Sequence, residues 1–263
     1  MTDLKNTGTT TPTQIKVVVK ERGPYILYSA KEVGQQFILP DSVGESWYYR
    51  RGESFAMRED SPTPLCRCGK SRNQPLCDGS HEMVEWDSEL TSPNDQIADD
   101  ARIYESQEMI LKDNEKYCCY ARFCHPGGGV WHLTHISGED SEARDLAIRE
   151  ATMCPSARLM AWRRGEENPY EFDFEPSVDL LEDPEAGCSA GLWLKGGITV
   201  ERQDGEQYEL RNRVVLCRCG HSSNKPYCDG AHAAHHWRSS TLSEIPTSGE
   251  EIPSDDSLFS DIS

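Results

Sequence analysis

Three cysteines and one histidine recur twice in this chain at one spacing. Cys66, Cys68, Cys77 and His81 stand in the word Cys-Arg-Cys-Gly-Lys-Ser-Arg-Asn-Gln-Pro-Leu-Cys-Asp-Gly-Ser-His. Cys217, Cys219, Cys228 and His232 stand in Cys-Arg-Cys-Gly-His-Ser-Ser-Asn-Lys-Pro-Tyr-Cys-Asp-Gly-Ala-His, identical at eleven of sixteen positions. Both read C-x-C-x8-C-x3-H. Two cysteines one residue apart are poorly placed to bridge each other but well placed to grip one metal centre. Three thiolates and an imidazole suit a structural zinc site, the commoner use of such a set, or an iron–sulfur site.

A second constellation lies between the two words. Cys118 and Cys124 are separated by five residues, and Cys154 follows with Pro155 directly after it. Low-potential ferredoxins use C-x2-C-x2-C with a remote Cys-Pro. Here Cys118 and Cys124 occupy the first and third positions of that run, and Ala121 the middle one. Three ordinary buried cysteines are the alternative, since free Cys is common in cores. Cys119 and Cys188 are left over, Cys119 beside a candidate ligand.

These residues need elements to position them. Gly, Ser, Asn and Pro within each word suit a tight loop whose backbone N–H groups turn toward sulfur. Asp-Gly before each histidine reads as a helix start that aims the imidazole back at the loop. Strands are expected over Gln14–Lys20, Gly23–Tyr28 and Gly196–Leu216, the last with a hairpin turn at Asp204-Gly205 and Val214-Val215-Leu216 running into Cys217. Gly23–Tyr28 matches Ala190–Leu194, so the repeat is larger than the metal word. The first copy carries about sixteen extra residues, expected around Gln35–Arg51, with Trp47, Tyr48 and Tyr49 as local core. Asp140 is expected to cap a helix whose Ala143, Ala147 and Ala151 face inward and deliver Cys154, with Pro155 ending it. Glu82–Lys116 holds eleven acidic residues and three basic ones, and reads as a solvated connector ending in one strand, Glu108–Leu111.

The boundaries that follow are a disordered 1–13, a first repeat at 14–90, a connector and middle domain at 91–178, a second repeat at 179–240, and a disordered acidic tail at 241–263. A formal net charge of −18 argues against nucleic acid and against anionic membrane surfaces. No apolar run approaches the roughly 20 residues of a membrane span, and no signal peptide is visible. Eleven cysteines in such a chain point to a reducing, cytoplasmic setting and to metal in place of disulfides. No nucleotide loop, flavin fingerprint or hydrolytic triad is present, so nothing supplies substrate chemistry of its own.

The two words resemble the CDGSH iron–sulfur family signature, C-x-C-x2-S-x3-P-x-C-D-G-S/A-H, at every signature position, with Ala231 an accepted variant. That resemblance implies one [2Fe–2S] cluster on Cys66, Cys68, Cys77 and His81 and a second on Cys217, Cys219, Cys228 and His232. It also implies that the copies, which pair between subunits in homodimeric relatives, can pair here as an intramolecular pseudo-dimer in a β-rich α+β fold. The segment around 101–162 resembles the divergent single-cluster ferredoxin domains found beside CDGSH motifs, in its cysteine spacing, its Pro126–Trp131 turn and Cys154-Pro155-Ser156. Ala121 for cysteine is what a [3Fe–4S] cluster tolerates, and a [4Fe–4S] form with Cys119 or water as fourth ligand stays open. The function expected is a soluble electron carrier or redox relay. A cluster donor to an apo-acceptor, or a redox and pH sensor, is the alternative, and a zinc-binding interaction module the third. The partner is a redox protein or an apo-acceptor of clusters, and the pseudo-dimer is compatible with a monomeric chain.

Overall fold

Each cysteine word starts where a strand ends. In the structure, a computed structural model that describes residues 4–5, 10–58 and 61–253, strand Thr63–Leu65 runs into Cys66 and strand Arg213–Leu216 runs into Cys217. Thr63–Leu65 pairs antiparallel with Tyr25–Tyr28, which pairs antiparallel with Lys16–Val19. Arg213–Leu216 pairs in the same sense with Cys188–Lys195, which pairs with Ser177–Asp183. These two three-stranded units are the two copies of the repeat.

The fourth strand of each unit comes from the other copy. Glu32–Pro40 of the first lies parallel to Ser177–Asp183 of the second, and Thr199–Arg202 of the second lies parallel to Lys16–Val19 of the first. Parallel neighbours cannot be joined by a tight hairpin, so each such pair needs a long connection or a second copy. The exchange is reciprocal, and it makes the pseudo-dimer. The apolar pattern follows from it. Val17, Val18 and Val19 are all buried, as are all eight residues of the interior strand Cys188–Lys195, as expected for strands covered on both faces.

The extra residues of the first copy form a long hairpin. Glu32–Pro40 and Ser46–Ala56 pair over 25 residues, where the second copy turns from Thr199 to Gln207 in nine. Tyr49 on this hairpin is buried against Phe123 and Trp193, at centroid distances of 4.5 and 4.7 Å. In the second copy the return arm makes only a bridge, Glu201 with Gln207, and no strand forms at Tyr208–Leu210.

The middle segment is a three-stranded antiparallel sheet, Arg102–Glu105, Met109–Asp113 and Leu159–Arg163, packed against helices α1 (Val130–Ile136) and α2 (Ser141–Met153). Asp140 caps α2 through Oδ1, which accepts from the N–H groups of Glu142 and Ala143 at 3.0 and 3.1 Å. The connector departs from expectation. It forms two strands, not one, and its first half is a strap across the second repeat. Ser92 N–H donates to Lys225 O at 2.8 Å, Lys225 N–H to Thr91 Oγ1 at 3.1 Å, and Ile97 N–H to Glu209 Oε2 at 2.8 Å, with Ile97 buried. Periodicity could not show this, because a strap makes single contacts and not a repeating face.

Within the tail expected to be disordered, Glu251–Ile252 adds an edge strand to Arg50 and Tyr49, and Arg50 pairs with Glu251 at 2.8 Å. Near the other end, Leu4–Lys5 pairs with Phe172 and Glu171. The rest of both expectations, at 1–3, 6–9 and 254–263, lies outside the described residues.

Glu150 in α2 is wholly buried and neither carboxylate oxygen has a hydrogen-bond partner. Burial pushes its pKa to about 9, with Arg149 opposing. A folded value above the unfolded one means the stability this group contributes is full below the unfolded pKa, near 4.5, and is lost as pH rises through about 9. Glu150→Gln should remove a slope approaching about 1.4 kcal/mol per pH unit across that window. Urea midpoints followed against pH test it, and equal slopes in variant and wild type would refute it.

Candidate metal centres

Each loop brings its four side chains together as two pairs. Cys66 and Cys68 Sγ lie 3.9 Å apart, and Cys77 Sγ lies 3.3 Å from His81 Nδ1. In the second loop the same separations are 3.8 Å for Cys217 and Cys219 and 3.4 Å for Cys228 and His232. Among the described residues no three His, Cys, Asp or Glu side chains are arranged to hold one metal ion.

The loop is fixed by the residues the two words share. Cys66 N–H donates to Pro75 O and Cys217 N–H to Pro226 O, both at 2.8 Å. Ser71 Oγ donates to Leu76 O and Ser222 Oγ to Tyr227 O, both at 2.6 Å. Asp78 Oδ1 accepts from Ser80 N–H and Asp229 Oδ1 from Ala231 N–H, each at 3.0 Å, starting the short turn that carries the histidine. The hydrogen bond from Cys68 is the largest influence lowering Cys66, to about 6, with the backbone N–H groups of Ser71, Gly69 and Lys70 helping. Cys217 is lowered to about 7 by Cys219 and by the same backbone positions, Ser222 and Gly220. The other thiols move the opposite way, Cys68 and Cys219 because each keeps the proton it donates to its neighbour, Cys77 and Cys228 because of burial, so metal binding must displace their protons.

A family described as iron-binding zinc finger, CDGSH type, matches residues 22–82 and 190–233. The chain carries two CDGSH domains. It is therefore an iron-binding, iron–sulfur protein. Searches of curated proteins and of solved structures matched nothing. Among the described residues no helix is long and apolar enough to cross a membrane.

The first and second CDGSH domains face each other loop to loop. A Cβ on Gly69 would sit 2.4 Å from Cys219 O, and one on Gly220 would sit 2.5 Å from Cys68 O. Both glycines have positive φ, +73° and +83°. The backbones of the two cysteine words thus touch, reciprocally, beside their own ligands. Tyr25 ties them further: its hydroxyl, on the first domain, donates to Cys217 O at 2.7 Å.

From sequence, Arg67, Lys70 and Arg72 by the first word and Arg211, Arg213, Arg218 and Lys225 by the second read equally as charges that ease reduction of a cluster and as ordinary solvated surface. Lys70 and Arg72 are exposed, but Arg67, Arg211, Arg213, Arg218 and Lys225 are buried. Arg67 stacks on Trp86 at 4.6 Å and donates to the carbonyls of Gly23, Lys20, Glu21 and Ser88; Arg218 stacks on Trp237 at 5.1 Å and pairs with Glu182 at 2.9 Å. The two tryptophans were missed. Both stand five residues after the histidine of their word, and that shared His-x4-Trp spacing is the signal that finds them. A desolvated guanidinium on an indole contributes about 2 kcal/mol. Trp86→Leu is expected to lower the urea midpoint and loosen the first loop selectively, read as faster loss of visible absorbance from one domain only.

The middle segment leans on the second domain. A Cβ on Gly230, two residues before His232, would sit 2.9 Å from Cys118 O. Asn224 Nδ2 donates to Lys116 O at 2.9 Å, and Cys119 shares an apolar cluster with Cys228. Among the described residues nothing covers the matching point of the first domain, where a Cβ on Gly79 would meet nothing within 4 Å. His232 is 1% exposed, whereas the His81 side chain is 11% exposed and lines an open groove.

Cys118, Cys124 and Cys154 lie within electrostatic reach of one another. Burial is the main cause that pushes Cys124 up to about 12, with Cys154 and Cys118 adding to it. Cys119 is raised by burial and then by Cys154, Cys228 and Cys118. The run winds through left-handed Tyr120 (φ 58°) and Arg122 (φ 62°), and Arg213 fastens the far side by donating to Ala151 O, Thr152 O and Cys154 O at the end of α2. Cys188 is buried, raised to about 11 by burial, and stands apart from both words.

Proposed function

We propose that the chain is an electron relay with three iron–sulfur centres in a row. Cys66, Cys68, Cys77 and His81 would hold one [2Fe–2S] cluster, and Cys217, Cys219, Cys228 and His232 the other. Cys118, Cys124 and Cys154 would hold a [3Fe–4S] cluster in a ferredoxin-like middle domain. When bound, such clusters supply one-electron transfer with no substrate of their own. The observation that carries the reading is the reciprocal contact of Gly69 with Cys219 and Gly220 with Cys68, with Cys118 against Gly230 on the other side. Tunnelling falls steeply with distance, and backbone contact between ligand loops keeps those distances short. Buried Arg67, whose hydrogen bonds go to carbonyls, adds positive charge that favours the reduced state, while Arg211 and Lys225 are offset by Glu209 and Asp87, and the burial of the second site excludes water from it. The reading places the protein in a reducing compartment such as the cytoplasm.

Iron and acid-labile sulfide analysis of protein purified without oxygen should give about seven irons per chain, from two, two and three. Zinc at about two per chain, without sulfide, would end the reading in favour of a zinc-binding module. Ala121→Cys restores C-x2-C-x2-C, and should convert an oxidised-state three-iron EPR signal into a four-iron centre. A wild type without that signal would remove the three-iron assignment.

The exposure of His81 favours a second reading, in which the first cluster is passed to an apo-acceptor. Transfer of iron and sulfide to an apo-ferredoxin, measured beside electron transfer to an external acceptor, separates the two.

A further inference from the structure

We infer that the groove beside His81 is the docking face for a basic one-electron acceptor protein, which rests on the relay reading above. The groove is lined by His81, Glu82, Val84, Glu85, Trp86 and Asp87, among others. Immediately after the ligand histidine, Met83 is 81% and Val84 39% exposed, and they are the one pair of consecutive residues among the exposed large hydrophobics of the described chain. Apolar side chains displayed together on a soluble surface mark contact sites, and methionine adapts to an irregular partner.

The second domain makes the same turn with different chemistry. In place of Glu82, Met83, Val84 and Glu85 it has Ala233, Ala234, His235 and His236, and His235 stacks on His221 at 4.0 Å. A fold requirement would have kept both turns alike. The first turn has gained apolar contact and two carboxylates where the second has small and histidine side chains.

Charge selects the occupant. Asp87 is taken up by Lys225 at 2.9 Å, which leaves the carboxylates of Glu82 and Glu85 in this groove against the guanidinium of Arg22, and the whole chain carries −18. Such a field steers a positive protein and repels a negative one. Arg67 holds Trp86 from behind, so the groove wall is rigid. In the complex one electron would leave ferrous iron at the first centre and reduce the acceptor's ferric haem, with no proton moved and no bond broken.

The test uses the full-length, cluster-loaded protein and oxidised cytochrome c, a small basic haem protein, as the probe. Binding is read by titration calorimetry and electron transfer by stopped flow. Affinity should fall at least about tenfold between about 20 mM and about 200 mM salt, as the Debye length shrinks from roughly 20 to 7 Å. Glu82→Lys/Glu85→Lys should weaken binding about tenfold at low salt and flatten the salt dependence. Met83→Ser/Val84→Ser should weaken it several-fold with the salt dependence kept. Glu105→Lys/Glu108→Lys, the same charge change outside the groove, should stay within about twofold of wild type. If both lysine variants lose affinity equally, the probe reads net charge and the inference fails. If the apolar variant binds as wild type, it fails as well. Protein that binds the probe with the expected variant pattern but carries no iron and sulfide would instead sink the relay reading and leave the docking face standing.

Discussion

Gly220→Ala is expected, on the relay reading, to bleach the chromophores of both CDGSH domains together, although it alters only the second word. The new methyl would lie 2.5 Å from Cys68 O, a backbone atom that no rotamer change can move, and φ is +83° there. The left-handed conformation costs an L residue about 1 kcal/mol, and overpacking against fixed backbone adds about 1–3 kcal/mol. Gly69→Ala is the mirror experiment, with Cys219 O at 2.4 Å. Gly79→Ala is the control, because its φ of +86° brings the strain while its Cβ would meet nothing. Visible absorbance, iron content and urea midpoints read the outcome. Should Gly79→Ala prove as damaging as Gly220→Ala, strain and not loop contact is at work. Should Gly220→Ala spare the first cluster, the two loops are independent and the relay loses its main support.

The second large effect concerns the order in which the clusters leave. With excess chelator, or in mild acid, the visible absorbance of the two CDGSH domains, separate from that of the middle centre, should decay in two phases differing by at least about tenfold in rate, equivalent to about 1.4 kcal/mol of barrier. The fast phase belongs to the first domain, where His81 borders an open groove and Cys77 is half-buried. The slow phase belongs to the second, where His232 is buried beneath the loop around Cys118 and Tyr120. Thiolates held by iron resist protons and chelators better than a neutral imidazole does. His81→Cys should therefore abolish the fast phase and lower that centre's potential, whereas His232→Cys should leave the fast phase as it was. A single phase, or a fast phase that persists in His81→Cys, would contradict the assignment.

The two loops were legible because each word is written twice. A repeated C-x-C-x8-C-x3-H with Asp-Gly before its histidine leaves little freedom, since the loop closes on its own backbone through Pro75, Ser71 and their counterparts. The strands leading into Cys66 and Cys217 and the cap at Asp140 were legible for the same reason, being local. What could not be read was long-range. In the exchange of Glu32–Pro40 for Thr199–Arg202, neither the run of seven buried residues in the first nor the single buried residue in the second marks which neighbour the strand will choose. The strap at Thr91–Ile97 looked like solvated linker because it is acidic, yet its hydrogen bonds go to Lys225 and Glu209. Buried arginines present a further limit. Arg213 and Arg218 look like surface residues until the carbonyls and the carboxylate that receive them are known.

The exchanged strands carry a consequence of another kind. A pair of identical subunits is bound by its symmetry: one codon specifies both sites, and whatever exposes one histidine exposes its twin. Here the two halves are written separately but folded through each other, so neither can drift away while each is free to change. Gly79 stands open where Gly230 is covered, and Glu82-Met83 answers to Ala233-Ala234. Joining the halves gives the molecule a direction, an inward end and an outward end, which a twofold axis would forbid.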